Sequence, residues 1–222
     1  MDISIGKKAL CKLIALQLRN NFFLENEEQG LLVEGIELAI MSTEKCLSGI
    51  NMKYISHNNN RVLFDPYHSV QYTIFLYYLS RRVWEIDSGS KLASKIFYLN
   101  KMLNACDLFY EIDLPDVFLL SHPVGSVIGR GKFSNYFIFQ QNCTVGSNNN
   151  IFPSFGEYVW LHAGVTIIGD SNIGKNVFVA ADAYIKDTDI PDNSIVFGKS
   201  PNLIIKQRPA DYFFSRSPFF DH

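Results

Sequence analysis

The chain has 222 residues, 47% of them hydrophobic, and a formal net charge of −2. That length holds one large or two modest domains with ample material for a core. The balanced charge and the lack of a basic block argue against a nucleic-acid partner.

Taken in order, the first half reads as helical. Leu10, Leu13, Ile14 and Leu18 fall at helical spacing within 4–24, with Lys12, Gln17 and Arg19 elsewhere on the wheel. A second helix is expected over about 27–48, opened by Glu27 and Glu28, whose charge suits a helix N-terminus. Asn58-Asn59-Asn60 reads as a loop. A third helix, about 67–86, carries Tyr72, Phe75, Tyr77, Tyr78 and Trp84, which at helical spacing read as packing rather than a ligand box. Ser88-Gly89 breaks it, and a fourth helix follows over about 90–106. Lys7, Lys8 and Lys12 interrupt the apolar stretch near the start, which argues against a signal peptide. No run of about 18 uncharged apolar residues is present to span a membrane. Cys11, Cys46, Cys106 and Cys143 lack CxxC or zinc-like spacing and read as thiols of a reducing, cytoplasmic compartment.

Near Tyr110 the helical period stops, and a period of six replaces it. Phe155, Leu161, Ile167, Ile173, Val179 and Ile185 recur at that step, each of the first five followed four residues on by Val159, Val165, Ser171, Val177 or Ala183. An earlier run, Val127, Phe133, Phe139, Val145 and Ile151, keeps the step before a slip at 151–154. Neither a helix nor a lone strand repeats at six. Six-residue sides wound three to a coil do, with the larger residue inside, and this predicts a parallel β-helix. An antiparallel sandwich would instead show alternation with turns every 8–12 residues. The expected organisation is a helical domain over 1–110, a β-helix over 111–205 and an aromatic tail over 206–222. The tail holds Phe213, Phe214, Phe219 and Phe220; its place, on a coil, on a second subunit or free, is open.

A β-helix is a scaffold, so function rests on its site. Of the five histidines, His57 lies in a polar loop and His222 at the terminus, and His68 opens the third helix, as a cap or facing the domain junction. His122 stands at the start of the coils among small residues, in Leu120-Ser121-His122-Pro123-Val124-Gly125-Ser126-Val127-Ile128-Gly129.

This block resembles the catalytic segment of the serine acetyltransferases. Gln140 to Gly146, Pro153-Ser154-Phe155-Gly156 and Gly198-Lys199-Ser200-Pro201 resemble further motifs of that family, as does the order of helices before coils. The resemblance covers about 65–205. It implies a left-handed β-helix, acetyl-CoA as co-substrate in a groove between neighbouring β-helices, and a homotrimer or dimer of trimers. It implies no metal. His122 matches the family's general base, a role that suits an imidazole. Asp113 is the first candidate to orient it and Glu111 the second; both also read as surface acids at the coil entry.

For the donor, Ala163, Ala181 and Lys199 are 18 residues apart, so they are expected to stack on one edge with Lys199 at the phosphates. Gly146 and Ser147 are expected on the coil before, with a backbone N–H for the oxyanion. His162 reads as a residue of the acceptor pocket or of the groove of the next subunit, or as a solvent-facing corner histidine. Two departures bear on the acceptor. Ser121 replaces an aspartate that binds the amino acid's ammonium group, and Phe152 replaces a second histidine. They point to a glycan acceptor, a sugar of a surface polysaccharide modified at a hydroxyl. Serine O-acetylation, acetylation of a nucleotide-sugar amine, and a non-catalytic binding β-helix stay open. A zinc hydratase of similar fold would need three histidine ligands, a pattern that His122 and His162 do not supply.

Overall fold

Helices α1 (Lys7–Asn21), α2 (Glu28–Ser48), α3 (Ser69–Ile86) and α4 (Leu92–Asn104) fill the first half of the chain in a computed structural model. It describes residues 1–52, 55, 57–58 and 61–220. The chain divides into two compact units, Met1–Glu111 and Ile112–His222.

In the first unit α3 is the packing centre. Tyr72, Phe75, Tyr77 and Tyr78 are buried, so its aromatic content is core. Leu10, Ile14 and Leu18 of α1 and Leu32, Ile36 and Ala39 of α2 are buried as their spacing requires. The buried Asn100 donates from Nδ2 to the Thr73 carbonyl at 3.1 Å, tying α4 to α3. His68 caps α3, its side chain accepting from the Gln71 N–H. Asp2–Ile3 pairs in parallel with Arg61–Phe64, and His57–Asn58 pairs antiparallel with the same strand. His57 and Asn58 therefore sit in a short strand rather than a loop; Asn59, Asn60 and His222 lie outside the described residues.

The second unit is a parallel β-helix of about five turns. On its first face Leu120, Phe139, Leu161, Val179 and Val196 lie one above another. On the second, Ile128, Val145, Ile167 and Ile185 do so. On the third, Phe133, Phe155 and Ile173 stack, with Ile190 bridging above. The paired six-residue pattern is met inside the coil: Leu161, Ile167, Ile173, Val179 and Ile185 are buried, and so are Val159, Val165, Ser171, Val177 and Ala183.

Val127 and Ile151 depart from the expectation. Val127 is exposed and its neighbour Ile128 takes the interior place. Ile151 is 48% exposed, because residues 148–151 form a small turn in which Asn148 and Ile151 exchange backbone hydrogen bonds. Phe155 takes the interior position instead, its ring 5.1 Å from that of Phe133 and nearly parallel to it. This turn lengthens the coil, so Phe133 and Phe155 are 22 residues apart while Phe155 and Ile173 are 18 apart.

The tail docks on its own coil. Strand Asn202–Gln207 pairs antiparallel with Ser194–Lys199, and a short helix, α5 (Ala210–Phe214), follows. Phe213 and Phe219 are buried, Phe213 against Phe178 at 4.9 Å and Phe219 against Tyr136 at 5.1 Å. Phe214 meets Tyr158 edge-on at 5.3 Å. The outer side of the first face is thereby covered by aromatic contacts.

Candidate active site

The corner between the first and second faces takes six residues in the upper coils, from Phe139 to Val145, Leu161 to Ile167 and Val179 to Ile185. In the lowest coil it takes eight, from Leu120 to Ile128. His122 occupies this longer corner, exposed, with φ at 52°, a left-handed conformation in which histidine is enriched.

The corner is pinned by the coil above it. Pro123 and Ser126 are buried. The Ser126 hydroxyl donates to the Gln140 carbonyl at 2.7 Å and accepts from the Cys143 N–H at 3.1 Å. Gly125, at φ 77°, lies so close to Asn142 that a Cβ there would stand 2.2 Å from its Oδ1. The result is an imidazole held out toward solvent on a fixed support, the arrangement that proton transfer to a bound substrate requires.

Above His122 one edge carries several of the expected residues. Ser121, Gln140, His162, Ala180 and Phe197 follow one another on successive coils, one step outward from the buried stack of the first face. Ala163 and Ala181 are stacked one coil apart as expected. Gln140 accepts the Ala163 N–H through Oε1 at 3.1 Å, which fixes its side chain on this edge. His162 is half-buried, stacked on Trp160 at 4.9 Å with Phe178 edge-on to it. Burial pushes its pKa below the ordinary histidine value. Cys143, buried below it, points its thiol at the His162 carbonyl at 3.1 Å, and burial raises its pKa.

Other expectations are corrected by the register. The top coil is one residue short, Val179 pairing with Val196, so Gly198 and not Lys199 lies over Ala181. Lys199 has passed on to pair with Tyr184 at the start of the second face. The residue beneath Ala163 is Gln141, since Leu161 pairs with Phe139. Gly146 instead pairs with Ile168 at the far end of the second face. The inserted turn at 148–151 causes this shift. Gly146, the exposed Ser147 and Phe152, 38% exposed, therefore share the corner between the second and third faces. Ser121, His122, His162, Ala163 and Ala181 share a different corner. Asp113 is exposed in the same unit as His122, and Glu111, also exposed, closes the other unit.

No protein-family profile matches the chain. A serine acetyltransferase of Arabidopsis thaliana, "Serine acetyltransferase 2", is 25% identical over 200 residues, which are 86% of this chain and 58% of that protein. The chain thus spans a little over half the length of this curated relative. Among solved structures, the serine acetyltransferase of Vibrio cholerae O1 biovar El Tor superposes with a TM-score of 0.69 at 17% identity, covering 91% of this chain and 80% of the other. A serine acetyltransferase in complex with CoA superposes at 0.66 with 16% identity, covering 89% and 83%. In sequence and in fold, helices first and coils after, this chain is similar to the serine acetyltransferases.

Proposed function

We propose that the chain is an acetyl-CoA-dependent O-acetyltransferase of the serine acetyltransferase type. The observation that carries this reading is His122, exposed on a pinned, lengthened corner at the foot of an edge lined by Ala163 and Ala181. In this reading the imidazole takes the proton of an acceptor hydroxyl as its oxygen attacks the thioester carbonyl. The tetrahedral intermediate then collapses, the C–S bond breaks, and the proton passes to the leaving thiolate to give free CoA and the acetyl ester. Asp113 is the first candidate to orient His122, and Glu111 the second. A backbone N–H at Gly146 or Ser147 would meet the oxyanion from a neighbouring copy, since within one chain those residues occupy another corner. Four free cysteines and the donor suit a reducing, cytoplasmic setting, and among the described residues no helix is long and apolar enough to cross a membrane.

The comparisons favour free L-serine as acceptor over the surface polysaccharide suggested by the sequence. A sugar hydroxyl is the second reading, on one specific ground: Ser121 and Phe152 stand where the family carries a charged residue and a histidine, leaving no carboxylate at Ser121 for an ammonium group. Thiol release from acetyl-CoA, followed with L-serine and in parallel with sugars, separates the two. We expect turnover with L-serine and a loss of roughly 10²–10⁴-fold in His122→Ala, with CoA affinity retained. Release with a sugar and none with L-serine establishes the second reading. Release at background with every acceptor removes the transferase.

A further inference from the structure

Inside the corner between the first and second faces runs a column of buried residues, one to a coil: Ser126, Cys143, Val165 and Ala183. In the coils of Val165 and Ala183 the column residue closes its own corner. Its N–H donates to the carbonyl three residues back, Val165 to His162 at 3.3 Å and Ala183 to Ala180 at 3.2 Å. In the coil of Cys143 the Ser126 hydroxyl stands between the corresponding groups. It accepts the Cys143 N–H at 3.1 Å and donates to the Gln140 carbonyl at 2.7 Å. Val165 and Ala183 show that the coil needs no hydroxyl in this column, so the one at Ser126 calls for another reason.

The other buried serines of the β-helix donate differently. The hydroxyls of Ser171 and Ser194 serve carbonyls three residues back in their own corners, Ile168 at 3.0 Å and Pro191 at 2.7 Å, which caps a turn locally. Ser126 donates into the next coil, 14 residues on. Cys143 repeats that relation one coil higher, its thiol donating to the His162 carbonyl at 3.1 Å. Burial raises the pKa of this thiol and so keeps it a donor.

The tie starts close to the imidazole. Two tight turns take up the extra length of the lowest corner: Val124 N–H donates to the His122 carbonyl at 2.8 Å, and Ser126 N–H to the Pro123 carbonyl at 3.1 Å. The second turn ends on Ser126, so the place of Ser126 decides the place of His122. At the other end of the tie, the Gln140 side chain accepts the Ala163 N–H. One hydroxyl thus joins the corner of His122 to the residue that fixes the next steps of the edge.

We propose that Ser126 is a positioning residue: its buried hydroxyl, wedged between the Gln140 carbonyl and the Cys143 N–H, sets where the His122 imidazole stands relative to the edge of Gln140 and Ala163. What His122 then does rests on the transferase reading above. A misplacement of about 1 Å at a reacting group costs on the order of 10²-fold in rate, which gives a buried hydroxyl bond at this point its leverage.

The test compares Ser126→Thr with Ser126→Val, two side chains of one shape that differ in the hydroxyl, beside the parent and Ser126→Ala. Val165 shows that a branched side chain fits this column. Thiol release from acetyl-CoA, with L-serine or with the sugar that the parent turns over, gives kcat and KM. Thermal melting gives stability, and hydrogen exchange over residues 121–127 gives the hold on the corner. We expect kcat to fall roughly ten- to hundredfold in the Val and Ala variants and to be largely restored in the Thr variant. KM for acetyl-CoA and melting temperature are expected to be alike in the Thr and Val variants, with faster exchange across the corner in Val. Should the added methyl groups unfold both, Ser126→Ala against the parent makes the same comparison. Equal kcat with and without the hydroxyl overturns the proposal and leaves the transferase standing, and so does a lower melting temperature at unchanged kcat, since the hydroxyl then serves stability alone. If the parent turns over no acceptor, the transferase falls. Faster exchange without the hydroxyl then still upholds Ser126 as what fixes the place of His122, and equal exchange overturns it.

Discussion

The charge of His162 is set by its surroundings. Trp160 and Phe178 remove water from the ring, so the charged form is disfavoured. The pKa is lower in the folded than in the unfolded chain, so below the ordinary value near 6.5 the unfolded state binds more protons. Stability from this residue is therefore complete above about pH 6.5 and is lost as pH falls from there through the folded value. Melting temperature should drop more steeply between about pH 7 and 5.5 in the parent than in His162→Phe, which keeps a stacking ring and cannot titrate. Parallel curves would show that the neutral imidazole has no such role. At this scale the sequence was legible where a residue's role depends on its neighbours in the chain, as at His122 amid Ser121, Pro123 and Gly125. It was not legible where the role depends on coil length. One residue fewer between Val179 and Val196 moves Lys199 from the edge of Ala181 to the side of Tyr184, and a count in steps of 18 does not register the loss.

Among the coils, several corners are held by side chains of the coil above. Asp187 accepts the Asp170 N–H through Oδ1 at 2.9 Å and the Asn148 side-chain amide through Oδ2 at 2.7 Å. Gly169 lies directly under this cluster at φ 75°, where a Cβ would stand 2.0 Å from Asp187 Oδ1 and 2.8 Å from Asn148 Cβ. Gly169→Ala therefore combines a left-handed backbone with displacement of a capping carboxylate and of the 148–151 turn. A loss of roughly 1–3 kcal/mol is expected, measured as a lower urea midpoint at unchanged slope. A midpoint within error of the parent would mean the corner relaxes freely. The period of six revealed the coil because every step repeats one local environment, the buried aliphatic stack. Ile151 kept the period and still left the core, since an inserted turn changes register without changing composition. The tail was illegible for a different reason. Phe213 meets Phe178 and Phe219 meets Tyr136 across long sequence separations, and no local pattern encodes which surface an aromatic segment will cover. The two-residue strand Asp2–Ile3 was likewise too short to carry a period.

At the scale of the molecule, the separation of the two corners bears on assembly. His122, Ala163 and Ala181 stand on one edge, and Gly146, Ser147 and Phe152 on another, so one copy alone does not bring both sets to one thioester. The first face, covered by Phe213 and Phe219 of the same chain, is also not an open face for a neighbour. A closed ring of copies, each setting its second corner against the first corner of the next, would satisfy both conditions. Three is the number that matches a three-sided coil and the common preference for closed symmetry. Light scattering is expected to give three times the chain mass, with six as the outcome if two rings pair. Because each groove would be shared, turnover per chain should fall on dilution in step with dissociation of the ring, and it should be restored on concentration. A mixture of His122→Ala chains with chains substituted at the second corner, Ser147→Pro, would regain part of the activity each lacks alone, since some grooves would then combine two intact corners. A monomer that turns over acetyl-CoA at full rate would place the whole reaction on one edge and leave Gly146, Ser147 and Phe152 without a part in it.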